Sequence, residues 1–302
     1  MTEEKGTVVS TRRSNYPVRS VCFSATWWLR FQHINQPLAT ISQKIAYLGI
    51  KEHQPPIPHL STTKNLQTAR LAIADFNDAL ETDNTIWMGI RKKSIRTHIQ
   101  QFLYKSMHST HRIGPQWRHI PNYEDRKFCS TCNIPKSMDH ILIYCEATPC
   151  NTIWSLAKET WPHAPHLWRD INLGTILGCG CLTFPNQDIE QHHDQNRHRR
   201  IPKGATRLLQ ILISEAAHLI WVIRCERVIQ DHTHQESETH TRWFHAINTR
   251  LTNDKIIATL IKQDKRAFKL VRDTWEPVLR KTMDLPNDWI FNREVLVGRR
   301  LW

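Results

Sequence analysis

Apolar residues recur at three- and four-residue steps along most of this chain, the period of helices that bury one face. After Ser61, the positions Leu66, Ala69, Ile73, Phe76 and Leu80 share one face, and the acidic tip Glu81–Asp83 closes the helix. A second amphipathic helix is predicted from Asn84 to Ser109, burying Trp87, Ile90, Ile95, Ile99, Phe102 and Leu103. Thr148 and Pro149 read as the N-cap and first residue of another, with Ile153, Trp154, Ala157 and Trp161 on one side. The glycine-rich apolar stretch Leu173–Phe184 reads as a buried loop or a short strand pair. The longest pattern, Gly204 to Gln230, carries Leu208, Ile211, Leu212, Ala216, Leu219, Ile220, Ile223 and Ile229. Ser214, Glu215 and His218 interrupt it, which predicts a buried helix rather than a membrane span. Helices follow near Glu238–Leu251, Asp254–Gln263 and Asp264–Arg280, and a tail, Leu285–Gly298, docks through Trp289 and Val295.

The predicted fold is therefore mainly α. Residues 1–30 form a disordered extension, since the first twenty or so are polar and charged without periodicity. Trp27, Trp28, Leu29 and Phe31 precede a short helix near Leu38–Leu48, and Pro55, Pro56 and Pro58 make an extended linker. The expected division is a helical basic segment (31–112), a metal-binding segment (113–184), a polar loop (185–203) and a C-terminal helical segment (204–302).

Composition changes this picture in two ways. A formal net charge of +13 over 302 residues favours a polyanionic partner, nucleic acid before an acidic membrane. Eight cysteines in so long a chain, four of them with metal-like spacing or near it, point to a reducing compartment rather than a disulfide framework. The expected location is intracellular, nuclear or cytoplasmic, and not secreted. Val21–Phe31 is too short and too interrupted for a signal segment.

The stretch CSTCNIPKSMDHILIYC carries the candidate chemistry. It places Cys129, Cys132, His140 and Cys145 in a C-x2-C-x7-H-x4-C pattern. Two residues between the first thiolates let a tight turn aim both sulfurs at one ion. Ser137 can cap a helix opening at Met138, which puts His140 in its first turn and Cys145 at its unwinding end, with Ile141 and Tyr144 packed behind. Four ligands and no general base describe a closed, structural Zn2+ site. The alternative is a pair of buried thiols in a hairpin, with His140 capping a helix.

Basic residues lead into this motif. Between Met88 and Lys127 there are nine lysines and arginines against Glu124 and Asp125. Arg91, Lys92, Lys93, Arg96, Lys105, Arg112 and Arg118 are candidate phosphate contacts, a stripe that tracks a nucleic-acid backbone without reading sequence. Trp117 stands among them, as a core residue or a stacking platform. Cys150, Cys179 and Cys181 read as small core residues. The histidines near 191–198 and in His232–His240 read as solvated loops.

Several phrases carry a family resemblance: FLYKSMHSTHRIGPQW, the cysteine stretch itself, LGTILGCG, ISEAAHLIWVIRCERVI and NDWIFNREVLVG. From about Gln36 to Gly298 the chain resembles the region that follows the RNase H domain in fungal non-LTR (LINE-like) retrotransposon reverse transcriptase polyproteins. The four candidate ligands match the zinc-binding segment beyond the polymerase in those proteins. The resemblance implies a nucleic-acid-associated accessory region. It does not imply catalysis: no Y-x-D-D carboxylate pair occurs, and Glu3, Glu4 and Glu52 are the only acids before position 75. The expected function is a non-enzymatic, zinc-stabilised module that binds RNA or DNA without a membrane role. A helical scaffold for protein partners is the alternative, drawn from the twelve tryptophans.

Overall fold

The computed structural model describes residues 59–184, 203–260, 265–280 and 284–297, together with 42–44 and 47. The chain divides into two compact units, Met1–Ile57 and Pro58–Trp302. In the first unit Gln43, Lys44 and Tyr47 are helical. The expectations for residues 1–30, for Trp27–Phe31, for the proline linker and for the histidine loop before Lys203 lie outside the described residues.

The second unit is mainly helical. Its helices are α1 (Leu60–Asn77), α2 (Asp83–Ile90), α3 (Thr97–Met107), α4 (Cys150–Thr160), α5 (Leu173–Leu177), α6 (Lys203–Ile229), α7 (Glu236–Leu260) and α8 (Lys265–Arg280). Among the described residues the only β pairing is one antiparallel bridge, Phe128 with Pro135.

α1 buries Leu66, Ala69, Ile73 and Phe76, as the periodicity predicts. Asp78 then adopts a left-handed conformation and ends the helix, so Leu80 falls past it and is exposed. The helix predicted from Asn84 to Ser109 is two helices, broken over residues 91–96. The spacing carries the reason: Ile90 and Ile95 are five apart, off the helical period, and both are buried. At the break Ser94 donates to Gln210 Oε1 on α6 at 2.9 Å. The end of α2 also crosses the Cys179–Cys181 turn at van der Waals distance. A Cβ on Gly180 would lie 2.1 Å from the Gly89 carbonyl oxygen, so this crossing requires glycine.

The Leu173–Phe184 stretch is neither loop nor strand pair but α5 followed by a 3-10 turn. Asn172 and Thr175 bond reciprocally as a capping box and start the helix. Thr148 is not an N-cap; α4 begins after Pro149, and the Thr148 hydroxyl is engaged elsewhere. Cys150, Cys179 and Cys181 are buried, as predicted, and burial together with the neighbouring Cys181 thiol pushes Cys179 up to about 12.

α6 is the spine, packed by α4, α7 and α8. It is long and apolar enough to cross a membrane by length and composition, yet 78% of its apolar window is buried against this unit. Ile229, predicted inward, is exposed at its end. α7 runs unbroken through Asp254, where two helices were predicted. The Asp254 carboxylate, at the expected start of a new helix, accepts in mid-helix from Arg207 at 2.7 Å and from the Trp275 indole at 2.8 Å. The tail docks as expected, with Trp289 and Val295 buried; the Asn248 side chain donates to the Val297 carbonyl and accepts from its N–H.

His218 on α6 gives the fold a pH dependence. Burial, and then the neighbouring His98 and Arg96, push its imidazole down to about 4. Its ring lies 4.8 Å from that of His98 and 5.6 Å from Phe102. A histidine held neutral by folding contributes stability above its unfolded pKa of about 6.5, and that stability is lost as pH falls toward the folded value. The melting temperature should therefore fall between about pH 6.5 and 4, with His218 contributing on the order of 2 kcal/mol after discounting for partial exposure. His218→Gln, melted across the same range, should show a shallower decline; an identical slope would place the acid sensitivity elsewhere.

Candidate metal centre

The cysteine stretch folds as a hairpin followed by one turn of helix. The Cys129 N–H donates to Ile134 O at 2.9 Å, and the Lys136 N–H donates to Lys127 O at 2.9 Å. Asn133, in a left-handed conformation (φ 53°), closes the turn between them. Gly114 supports this hairpin from the side at φ 53°; a Cβ there would meet the Lys136 carbonyl oxygen at 2.1 Å. Ser137 then caps the helical turn, accepting the His140 N–H at 3.0 Å. The turn widens to π geometry over His140–Tyr144, and Cys145 leaves it in an extended conformation (ψ 114°). That widening swings the Cys145 sulfur back toward the hairpin.

The result is a cluster in which one ligand atom each from Cys129, Cys132, His140 and Cys145 lies within 4.8 Å of all the others. The Cys129 and Cys145 sulfurs are 3.8 Å apart. A tetrahedral ion with metal–sulfur bonds of about 2.3 Å holds two sulfurs about 3.8 Å apart, so the spacing fits. Both His140 ring nitrogens are buried with no protein partner. A buried, unpaired imidazole is costly unless something else takes its lone pair. These four residues are therefore arranged as a group that could hold a metal ion.

The surroundings favour a thiolate at Cys129. Burial raises the Cys129 thiol, but the Cys132 N–H, His140 and the Thr131 N–H outweigh it and bring it down to about 6. Burial holds Cys145 up, while the Thr148 hydroxyl, 3.7 Å from its sulfur, opposes that. Buried Lys136 interacts with both Cys129 and Cys145, and burial with Arg224 nearby lowers its ammonium. A divalent ion on three thiolates and one imidazole carries a net charge of −1, and Lys136 offsets it. Ile141 and Leu142 are buried behind the site as expected; Tyr144 instead points outward and is exposed. The Trp154 indole donates to the Leu142 carbonyl at 2.9 Å and ties the helical turn to α4.

The basic residues do not form a single helical stripe. Arg91, Lys92 and Lys93 sit in the turn after α2, Lys105 in the last turn of α3, and Arg112 and Arg118 on the irregular segment leading to the hairpin; all six are exposed. Arg96 differs: it is half-buried and paired with Glu215 on α6. Trp117 is half-buried, donates to the Arg112 carbonyl at 2.9 Å and lies under the Arg126 guanidinium, 5.2 Å from its ring centre.

A second group escaped the sequence reading. His232, His234 and Glu238 bring ligand atoms within 4.8 Å of one another, because α7 starts at Glu236 and not at Glu238. The H-x-H-x3-E spacing was its only signal. The His234 Nε2 already meets Glu226 at 2.7 Å and the Arg242 guanidinium at 2.6 Å. A fixed cation at that distance opposes a metal ion.

Comparisons of the chain with family models, with curated proteins and with solved structures give no match.

Proposed function

We propose that this chain is a non-enzymatic nucleic-acid-binding accessory module, derived from a non-LTR retrotransposon reverse transcriptase and stapled by one structural Zn2+. Three thiolates and an imidazole in a closed four-coordinate set suit zinc, a borderline-soft ion without geometric preference of its own. Zinc would be held by Cys129, Cys132, His140 and Cys145, with no open position for a substrate. Its work there is to fix the hairpin and the segment that enters it.

The observation that carries the nucleic-acid reading is the exposure of Arg91, Lys92, Lys93, Lys105, Arg112 and Arg118 on the stretch running into the metal cluster. None of these side chains faces an acidic partner among the ion pairs of the described residues. Side chains of this kind hold RNA or DNA phosphates with little sequence preference. Each of the nine described tryptophans is buried or half-buried, which favours this reading over the scaffold alternative.

Binding of a fluorescent single-stranded RNA, followed by anisotropy over a salt series, tests the reading. Affinity should fall steeply with salt. Replacing Arg91, Lys92 and Lys93 by glutamine should reduce the log–log slope by about 0.7 for each phosphate that is no longer neutralised. An affinity indifferent to salt would overturn the electrostatic account, and capture of a protein partner unaffected by these changes would favour a scaffold.

A further inference from the structure

α6, α7 and α8 meet the α2–α3 turn around a cleft of about 790 Å3. Arg91 and Lys93 stand at it as exposed residues, and Arg96, Arg207 and Arg250 line it more deeply. The three deeper guanidiniums face two carboxylates. Arg96 pairs with Glu215, and Arg207 and Arg250 share Asp254 at 2.7 and 3.3 Å. Three positive charges against two negative leave one positive charge uncompensated in a largely buried network. Burial, with Arg207 and Arg96 close by, pushes the Arg250 guanidinium below its ordinary value, against the pull of Asp254.

Two further observations say what is missing. The Arg250 side chain is only 8% exposed; its Nη2 donates to the Lys93 carbonyl at 3.2 Å and meets Asp254, while its Nε has no hydrogen-bond partner. A buried guanidinium N–H without an acceptor costs free energy even where the rest of the group is paired. Independently, the N-terminus of the eleven-residue α3 opens on the same cleft through Thr97 and His98, with no side-chain cap and no acidic residue in its first turn. Such a terminus offers free N–H groups and the positive end of a helix dipole to an anion. The opposite wall is apolar. Ile256 and Ile257 on α7 are about half exposed (50% and 48%), beside Leu270 on α8.

We propose that this cleft is a nucleotide-phosphate subsite: one backbone phosphate of a single strand sits between the α3 N-terminus and Arg250, rimmed by Arg91 and Lys93, with its sugar and base against the Ile256–Ile257 shelf. The proposal rests on the nucleic-acid reading above and gives it a seat. The cleft volume lies in the range that encloses a ligand of nucleotide size. A bare inorganic anion would use the guanidiniums and leave the shelf without a role; a nucleotide unit uses both. Arg96, Arg207 and Arg250 are held in place by Glu215 and Asp254, so the donors are positioned before the strand arrives. Lys265 and Lys269, both exposed on α8, stand on the helix that walls the cleft and can receive the next phosphates.

The test uses the full, zinc-loaded chain and a fluorescent ten-residue thymidine strand at fixed ionic strength. Three variants are compared with wild type: Arg91→Gln/Lys93→Gln at the rim, Ile257→Asp on the exposed shelf, and Arg112→Gln/Arg118→Gln, which removes the same charge outside the cleft. The first two should each weaken the strand about ten-fold or more, and the third about three-fold or less, with melting temperatures close to wild type in all. Thymidine 5′-monophosphate should compete at concentrations where inorganic phosphate does not. Equal losses in the two charge variants, with the Asp variant unaffected, would overturn the cleft while leaving diffuse nucleic-acid binding intact. Displacement by inorganic phosphate as effective as by the nucleotide would overturn the nucleotide assignment in favour of a free-anion site. Failure of wild type to bind the strand at low salt would remove both the subsite and the reading it rests on.

Discussion

Cys132→Ser should yield a protein without its metal and with a melting temperature lower by about 10 °C. Wild type should carry one zinc per chain by elemental analysis, and the variant less than a tenth of that. Cys132 is the least buried of the three cysteine ligands and neither donates nor accepts a side-chain hydrogen bond, so its replacement reports ligation more than packing. Losing the ion frees the hairpin from Cys145 and leaves the buried His140 imidazole without a partner. Structural zinc sites supply folding free energy directly. A loss of about 4 kcal/mol in a unit of this size corresponds to a shift of roughly 10 °C. Cys150→Ala provides the contrast. Its sulfur donates to the Ile141 carbonyl at 3.2 Å and belongs to the core behind the site, so that variant should keep the metal. A well-folded wild type free of zinc would return the four residues to core thiols and an unexplained buried imidazole.

Asp254→Asn is the second large effect. The variant is nearly isosteric and can still accept from the Trp275 indole, so it isolates charge. It leaves Arg207 and Arg250 buried beside each other, with Glu215 the one carboxylate remaining among three guanidiniums. Removing one partner of a buried ion pair costs about 3–5 kcal/mol, far more than the pair contributes relative to an apolar replacement. The unfolding free energy from a urea titration should fall by that amount, with a lower midpoint and an unchanged slope, since the surface exposed on unfolding does not change. A loss under about 1 kcal/mol would mean that water reaches this network and screens it. By comparison Arg272→Gln, which removes an exposed i,i+4 partner of Glu276 at 3.7 Å, should change stability by less than about 0.5 kcal/mol.

The helical character, the buried faces of α1 and α6, the docking of Trp289 and Val295 and the four-residue cysteine–histidine cluster were all legible in the linear chain. Each depends on local rules: the 3.6-residue period, the reach of a two-residue turn between thiolates, the capping preference of Ser137. The errors fall where a distant partner overrides such a rule. Asp254 looks like the start of a new helix until Arg207 and Trp275, 47 and 21 positions away, satisfy it in mid-helix. Asn84 to Ser109 looks like one helix until Gly180 and Gln210 reach it from the other half of the chain.

The basic residues show the same division more consequentially. Their number and their density before Cys129 follow from the sequence, and so does the preference for a polyanion, since net charge acts at long range whatever the fold. Which of them stand free and which are spent within the protein does not. Arg96 sits among the candidate phosphate-binding residues in the chain, but packing gives it to Glu215. Arg207 ends a different basic stretch, the one that begins at Arg197, and Arg250 belongs to none, yet the crossing of α6 and α7 brings them beside Arg91 and Lys93. A helical chain with a cysteine–histidine cluster and a strong positive balance follows from the order of residues alone, because periodicity, short-range turns and total charge are properties of neighbours in the chain. The place where positive charge is left uncompensated emerges only on folding, because a buried charge is cancelled or left over according to the groups that packing sets against it.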